Sequence, residues 1–386
     1  MVVLGDRAPG SGASNNNAGW IVPSSSGPLP APGIVLQTMR WMLRRDSPVY
    51  VQPSLEPSFV HFMIQMLGAC NAPAFSRGFA ADLALAQGVM EDLDAYVADG
   101  IEFEMHSAGL LRVFVTRQAF QKAMAGVERR RQAGLDPEVL TGDQARSIEP
   151  ELSPLVVGAI KYPHERHIQP ASLVAGLVQR CRSLGVELVE NRVAEARVRS
   201  PSLVELSGPF GDTKADACII AAGAWSGRVS RLFGVKLPIR PGKGYCADYA
   251  PAPFQVQSPI MLSETNVALS PLDSGMRLAG TMEFGPLNES IDEIRIRAVK
   301  EAPRRYFRNW DPEANAAVSA AGLRPMTPDG LAVIGRLAPH SNVYVATGHA
   351  MHGVTLATRT ATELAKLIVD GKTPSVLDPY SPKRFK

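Results

Sequence analysis

The period of the apolar positions changes repeatedly along this chain, and the changes divide it. Residues 2–5 form a short apolar run closed by Gly5-Asp6-Arg7. Residues 8–33 follow as an irregular stretch rich in Gly, Ser, Asn and Pro, broken by Trp20-Ile21-Val22. A loop this long in a compact protein is either functional or disordered. Two apolar helix-like segments come next, one around Ile34–Leu43 and one around Phe59–Leu67. Residues 81–99 read as a helix closed by Gly100, and residues 118–132 as another stopped by Gly134. Between them, 101–105 and 109–115 read as strands of a hairpin-like unit turning at Ser107-Ala108-Gly109. Thr141 caps a short helix.

The second half alternates more regularly. A strand at 158–162, a helix opened by Pro170 and stopped at Gly185, and a strand at 186–189 read as a βαβ crossover. Further strands are expected at 193–198 and 203–206. Residues 217–223 are a continuous apolar run into small residues, as expected of a strand buried on both faces. Residues 238–280 carry strand-like pieces with frequent Pro and Gly, which suggests an antiparallel sheet, and 292–308 reads as helical. A buried strand at 342–347 leads through Gly348 and Gly353 into a long amphipathic helix, 354–369, closed by Gly371. The fold class is α/β combined with α+β.

Composition narrows the setting. The chain has 386 residues with 45% hydrophobic content, enough for two domains or one elaborated domain. A net charge of +3 is too small a bias to suggest nucleic acid as a partner. The four cysteines form no CxxC pair and read as reduced thiols. Residues 1–5 do not resemble a signal peptide and no window is apolar enough to span a membrane, so the expected location is cytoplasmic. Arg40, Arg44 and Arg45 beside apolar residues in 34–67 raise a sharper alternative to core packing: peripheral contact with the inner face of the plasma membrane.

Candidate chemistry concentrates in residues 321–355. Arg324, between Leu323 and Pro325, is a cation in a rigid setting. The strand–turn–helix through Gly348 and Gly353 offers free backbone N–H groups at a helix N-terminus, a general anion site. His349 and His352, like His164 and His167, are three apart, but no cysteine or acidic set completes a metal site around either pair. No GxSxG, P-loop or HExxH is present.

Four separated motifs stand in one order: Ala13-Ser14-Asn15-Asn16-Asn17-Ala18-Gly19 with Pro32-Gly33; Ile219-Ile220-Ala221-Ala222-Gly223-Ala224-Trp225-Ser226; Leu237-Pro238 with Pro241-Gly242-Lys243-Gly244-Tyr245; and the stretch from Gly322-Leu323-Arg324-Pro325 to Gly348-His349. With them the chain resembles the FAD-dependent amino-acid oxidoreductases of the D-amino-acid oxidase and dehydrogenase superfamily, most of all the bacterial D-amino-acid dehydrogenase branch. The resemblance implies an FAD-binding Rossmann-like domain from 1–33, 141–236 and 318–386, and a mixed-sheet substrate domain from 34–140 and 237–317. It implies FAD contacts from Asp6 and Arg7 near the ribose and from Ser14, Asn17, Ala18 and Gly19 along the flavin. Val193 would meet the adenine. Ala222, Gly223 and Trp225 would close over the dinucleotide, and Gly348, His349, Gly353 and Thr355 would face the flavin. Arg324 would hold a substrate carboxylate, with Tyr245 and His352 also in the substrate site. The implied reaction is oxidation of an amino acid, foremost a D-amino acid, to the imino and then 2-oxo acid by hydride transfer to flavin, with a quinone or oxygen as final acceptor. Glycine, sarcosine or proline-like amines are the alternative substrates.

Two departures matter. The family opens on a strand followed by GxGxxG, and no GxGxxG occurs here; Gly10-Ser11-Gly12-Ala13-Ser14-Asn15 follows the acidic position rather than preceding it. Residues 2–5 therefore read as the family's second strand, with a unit of roughly 30 residues missing before it. Either the start is placed too late, or the chain is a non-catalytic remnant that does not hold FAD. The second departure is Ala350, where family members often have glycine.

Overall fold

A computed structural model describes residues 1–33, 44–340 and 342–385. The first amphipathic segment, 34–43, lies outside the described residues. At the centre is a nine-stranded mixed sheet. Its strands run in the order Val318–Met326, Arg240–Tyr249, Gly275–Phe284, Val267–Leu272, Ile260–Leu262, Leu110–Phe114, Gly158–Tyr162 and Glu138–Thr141, with Val49–Val51 added beside the far end of Gly275–Phe284. Successive side chains on a strand point to opposite faces. Leu111, Val113, Tyr245, Ala247, Tyr249 and Leu278 pack on one face against Ile296 and Val299 of the helix Glu293–Glu301 and against Tyr306. Leu110, Phe114, Ile160, Tyr162 and Ala268 pack on the other face against Trp20 and Val22.

Four smaller sheets accompany the large one among the described residues. Cys218–Ile220 pairs in parallel with Val343–Thr347, which pairs antiparallel with Val333–Arg336. The long helix Gly353–Asp370 covers this sheet through Leu356, Leu364 and Leu367, packed against Ile334 and Tyr344. Val2–Gly5 pairs in parallel with Glu187–Glu190. Among the described residues, Val2–Gly5 and Cys218–Ile220 each pair along one edge only, and Val3 and Ile219 are 45% and 48% exposed. Glu195–Ser200, Leu203–Gly208 and Gly211–Ala215 form an antiparallel three-stranded sheet.

The structure alters several expectations. The hairpin expected over 101–115 does not form. Met105–His106 pairs with Arg166–Ile168, while Leu110–Phe114 enters the large sheet, because Gly109 in a left-handed conformation (φ 75°) redirects the chain between them. Nor do 158–162 and 186–189 make one crossover: Gly158–Tyr162 belongs to the large sheet and Glu187–Glu190 to the pair with Val2–Gly5. Residues 217–223 are not buried on both faces, since Ile219 is 48% exposed and faces the cavity described below. The helix expected over 81–99 is two helices, Ala72–Ala86 and Val89–Ala98, divided at Gly88 (φ 83°). The one expected over 292–308 stops at Glu301, where Pro303 tightens it into a 3₁₀ turn. The domain limits at 140 and 317 cut through the large sheet, which takes in Gly158–Tyr162 and Val318–Met326 from the segments assigned to the cofactor domain. Among the described residues no helix is long and apolar enough to cross a membrane.

Candidate active site

A cavity of about 1530 Å³ opens between the large sheet, the N-terminal loop and the start of the long helix. One wall is the loop. Asn16 Nδ2 donates to the Ala321 carbonyl at 3.1 Å, and the Arg277 guanidinium donates to the Asn15 and Asn17 carbonyls at 2.7 and 3.0 Å. Arg277 is itself fixed by two bonds to the Asp248 carboxylate, at 2.6 and 2.8 Å. Gly19 allows the loop to cross the strand Arg166–Ile168: its φ is 72°, and a Cβ there would stand 2.0 Å from the Ile168 carbonyl oxygen. The loop expected to be either functional or disordered is therefore tied to the sheet, and Gly12, Ala13, Ser14, Asn17 and Ala18 line the cavity.

A second wall is the sheet. Arg324 reaches across the neighbouring strand at Gly244, where a Cβ would fall 2.0 Å from its guanidinium. Its Nη1 donates to the Thr281 carbonyl at 2.9 Å, and no carboxylate among the described residues pairs with it. Burial pushes the Arg324 pKa down to about 10, so the group stays charged at neutral pH while lacking a counter-ion. Thr281 has φ 60°, a left-handed conformation that a β-branched residue rarely adopts, and its buried hydroxyl has no partner. That strain aims a carbonyl at Arg324.

The third wall is the turn before the long helix. Ala350 also has positive φ, 49°, which accounts for glycine suiting this position; its N–H donates to the Pro325 carbonyl at 3.1 Å and ties the turn to the arginine strand. His352 supplies no side-chain cap to the helix Gly353–Asp370, which leaves the helix start open to an anion. The His352 ring sits 3.6 Å from Asp82, whose other oxygen accepts from the Tyr380 hydroxyl at 2.9 Å. His349 bonds Thr360 Oγ1 at 3.0 Å, and burial lowers its pKa to about 4, which keeps the ring neutral.

The cavity thus gathers Ser14, Asn17, Ala18, Ala222, Gly223, Trp225, Arg324, His349, His352 and Gly353. The other expected residues stand outside its wall. Gly19, Gly348 and Thr355 shape it from behind; Thr355 Oγ1 donates to the Trp20 carbonyl and accepts from the Val22 N–H. Arg7 bonds Glu289 at 2.5 Å and lies 4.8 Å over the Trp225 ring, while Asp6 is exposed with Arg7 as its neighbour at 3.9 Å. Val193 packs with the cluster around Val204 and Leu206. The expectation for Tyr245 is corrected. Its side chain enters the core on the far face of the sheet and its hydroxyl donates to Glu283 at 2.6 Å. One-residue alternation decides this: Gly244, not Tyr245, faces the cavity. Sequence reasoning missed Arg112, Asn266 and Thr281 in the wall. For Arg112 a signal existed, a lone charge inside the apolar run Leu110-Leu111-Arg112-Val113-Phe114.

These walls fit a flavin dinucleotide in part. Small side chains at Ala18, Ala221, Ala222 and Gly223 let backbone approach a planar ring, and a Cβ at Gly223 would meet nothing within 4 Å. The uncapped helix start would meet the electron-rich edge of such a ring.

Comparison with known proteins agrees with this arrangement. The family model described as FAD dependent oxidoreductase matches residues 1–367. The chain is 28% identical over 382 residues to a D-amino acid dehydrogenase of Vibrio cholerae serotype O1, covering 97% of this chain and 90% of that protein. It is 29% identical over 386 residues to the D-amino acid dehydrogenase of Granulibacter bethesdensis, covering 97% and 91%. The crystal structure of glycine oxidase from Geobacillus kaustophilus superposes with a TM-score of 0.74 at 23% identity, covering 99% of this chain and 91% of the other. The chain belongs to the FAD-dependent oxidoreductase family.

Proposed function

We propose that this protein oxidises an amino acid, a D-amino acid before others, to the imino acid. The observation that carries the reading is Arg324: a half-buried arginine whose guanidinium sits in a cavity wall, held by a carbonyl and matched by no carboxylate among the described residues. An uncompensated buried cation is costly unless a ligand completes it, and the planar fork suits a carboxylate. FAD, when bound, takes up the two electrons and the hydrogen removed from the substrate. Arg324 would hold the substrate carboxylate. Thr281, through its carbonyl, holds Arg324 across Gly244. The turn Gly348–Gly353 and the helix start supply partial positive charge, and neutral His349 adds no competing cation. The substrate carbon bearing nitrogen loses a hydride and the nitrogen a proton, leaving a C=N bond that water hydrolyses to the 2-oxo acid and ammonia. Such chemistry rests on position and electrostatics and needs no dedicated base if the amine enters neutral. The near-full-length similarity to D-amino acid dehydrogenases favours D-amino acids over glycine, sarcosine or proline-like amines.

Purified full-length protein, supplied with FAD, is to be mixed anaerobically with D-alanine, D-glutamate, glycine, sarcosine and proline while flavin absorbance is followed. Bleaching fastest with a D-amino acid supports the reading, and Arg324→Ala should raise KM by roughly 100-fold. Bleaching by none of them overturns it. Re-oxidation by oxygen or by a quinone then identifies the acceptor. A second reading, that the protein holds no FAD, is favoured by one observation, that Val2–Gly5 and Cys218–Ile220 each have one edge unpaired among the described residues; a colourless protein that takes up no added FAD would establish it. Peripheral membrane contact, the finer part of the localisation, would use Leu55, Val60, Ile64 and Leu67, which are exposed on and before the helix Pro57–Ala69. Sedimentation with anionic vesicles tests it: substitution of these residues by Ser should release bound protein.

A further inference from the structure

Arg112 repeats, at another point of the same wall, what marks Arg324. In the strand Leu110–Phe114, Leu111 and Val113 enter the far core while Arg112 and Phe114 face the cavity. Arg112 Nε donates to Ser263 Oγ at 3.3 Å, and its guanidinium carbon lies 5.8 Å over the Phe114 ring. No carboxylate among the described residues pairs with it. The acidic residue in that wall, Glu264, is already engaged. One oxygen accepts from the Val115 and Thr116 N–H groups and the Thr116 hydroxyl, and the other from the Tyr306 hydroxyl. Burial first, and the Arg130 charge after it, push the Arg112 pKa below the usual arginine range. Lys122 and Arg129, on the helices beside this strand, add positive charge to the same end of the cavity.

The strand register gives the spacing. Gly280, Val267 and Leu262 are neighbours in one row across three strands. Thr281, whose carbonyl holds Arg324, and Ser263, whose hydroxyl holds Arg112, are the next residues after Gly280 and Leu262, with Asn266 between them. Two strand spacings are roughly 10 Å. That is the spacing of the two residues that hold the arginines; with each guanidinium contacting its own carboxylate from its end, the span between them suits two carboxylates joined by a short carbon chain.

We infer that the substrate carries a second anionic group: a dicarboxylic amino acid, with its α-carboxylate on Arg324 and its distal carboxylate on Arg112. The inference rests on the amino-acid reading given above and names the substrate class of that site. Two desolvated cations in one wall select against neutral side chains, because a neutral ligand leaves Arg112 unmatched.

The test compares D-glutamate with its neutral isostere D-glutamine, using full-length protein with FAD. D-Glutamate should reduce the flavin with a kcat/KM roughly 10- to 100-fold higher. Arg112→Met should remove that advantage by lowering the D-glutamate value while leaving D-glutamine within about 3-fold, which amounts to less than about half a tenfold step in free energy. A binding readout stands apart from turnover: glutarate should raise the melting temperature of the wild type more than butyrate does, and Arg112→Met should make the two equal. Equal rates for both amino acids, or a variant that loses both alike, overturns the inference and leaves amino-acid oxidation standing. If no amino acid bleaches the flavin, the earlier reading fails, and glutarate binding decides alone. Glutarate preference lost in Arg112→Met then sustains the two-anion site, and preference retained in the variant overturns it.

Discussion

Cations lie on both faces of the large sheet, and among the described residues two on the cavity face, Arg324 and Arg112, lack the carboxylate that Lys243 and Arg295 have, as does their neighbour Arg277 with its Asp248 partner. On the far face, Glu283 stands 3.4 Å from both Lys243 Nζ and Arg295 Nε and accepts the Tyr245 hydroxyl at 2.6 Å; Arg295 is fully buried and also donates to the Arg45 and Met282 carbonyls. That group has its counter-charge inside the protein. On the cavity face, Arg324 and Arg112 are held by a carbonyl and a hydroxyl and have no counter-charge among the described residues. Exposure alone does not tell structure from function here, because Lys243 and Arg295 are buried and Arg324 and Arg112 are half-buried in the cavity wall. The missing partner does, since an unmatched buried charge persists only where something other than stability retains it.

The comparison can be broken at either face. The largest effect is expected from Glu283→Gln, which leaves Lys243 and Arg295 without their carboxylate and should cost about 3–5 kcal/mol in urea unfolding. A cost below about 1 kcal/mol, the range of an exposed pair, would mean the far-face group is no structural pair. Arg324→Met should do the reverse: stability unchanged or slightly raised, with substrate affinity lost. A loss of stability like that of Glu283→Gln would place Arg324 among the structural cations. Gly244→Ala is subtler. It leaves every charge in place but puts a methyl where the Arg324 guanidinium lies, and it should weaken carboxylate binding by roughly 10-fold at a stability cost of about 1–3 kcal/mol from overpacking. Unchanged KM in this variant would show that Arg324 does not work from its position across Gly244.

The smallest effect concerns pH. The folded His349 pKa of about 4 lies below its ordinary value of 6.5, so between those values the unfolded chain binds more protons than the folded one. The stability this residue permits is complete above about 6.5 and is lost as pH falls toward 4. Glu165 acts with the opposite sign. Burial raises its pKa from 4.5 to about 7, so its contribution is complete below 4.5 and lost as pH rises through 7. Wild type minus His349→Asn cancels Glu165 and isolates the histidine. The difference should fall steadily from pH 6.5 to 4, and a flat difference would mean His349 is protonated in the fold.

Much of this was legible before any coordinates. The long helix and its Gly371 stop, the strand at 343–347, the antiparallel sheet between Pro238 and Gly280 and the Thr141 cap all follow from period and punctuation, and Thr141 with Gln144 completes a capping box. Arg324 was readable because Leu323 and Pro325 isolate it. What escaped was non-local. Nothing near 101–115 says that its two strands join different sheets. Tyr245 was misplaced because a motif gives neighbours in sequence, whereas a strand sends neighbours to opposite faces. Arg112 escaped because an arginine in an apolar strand acquires meaning only when the missing carboxylate is known, and absence of a partner is a property of the fold.

The N-terminal loop carries one more consequence, for the order in which the protein assembles. Asn16 is tied to Ala321, Asn15 and Asn17 to Arg277, Trp20 to Ser270, and Val22 to Thr355. Every one of these partners is more than 240 residues away along the chain. The loop is synthesised early, and although Trp20–Ile21 can pair with Arg166–Ile168, its cavity-lining part has its side-chain ties only to the large sheet and the long helix. Contacts of such sequence separation form late and slowly. Refolding monitored by backbone circular dichroism should therefore run ahead of the appearance of a ligand-binding cavity, and a protease should cut within residues 8–33 during that interval.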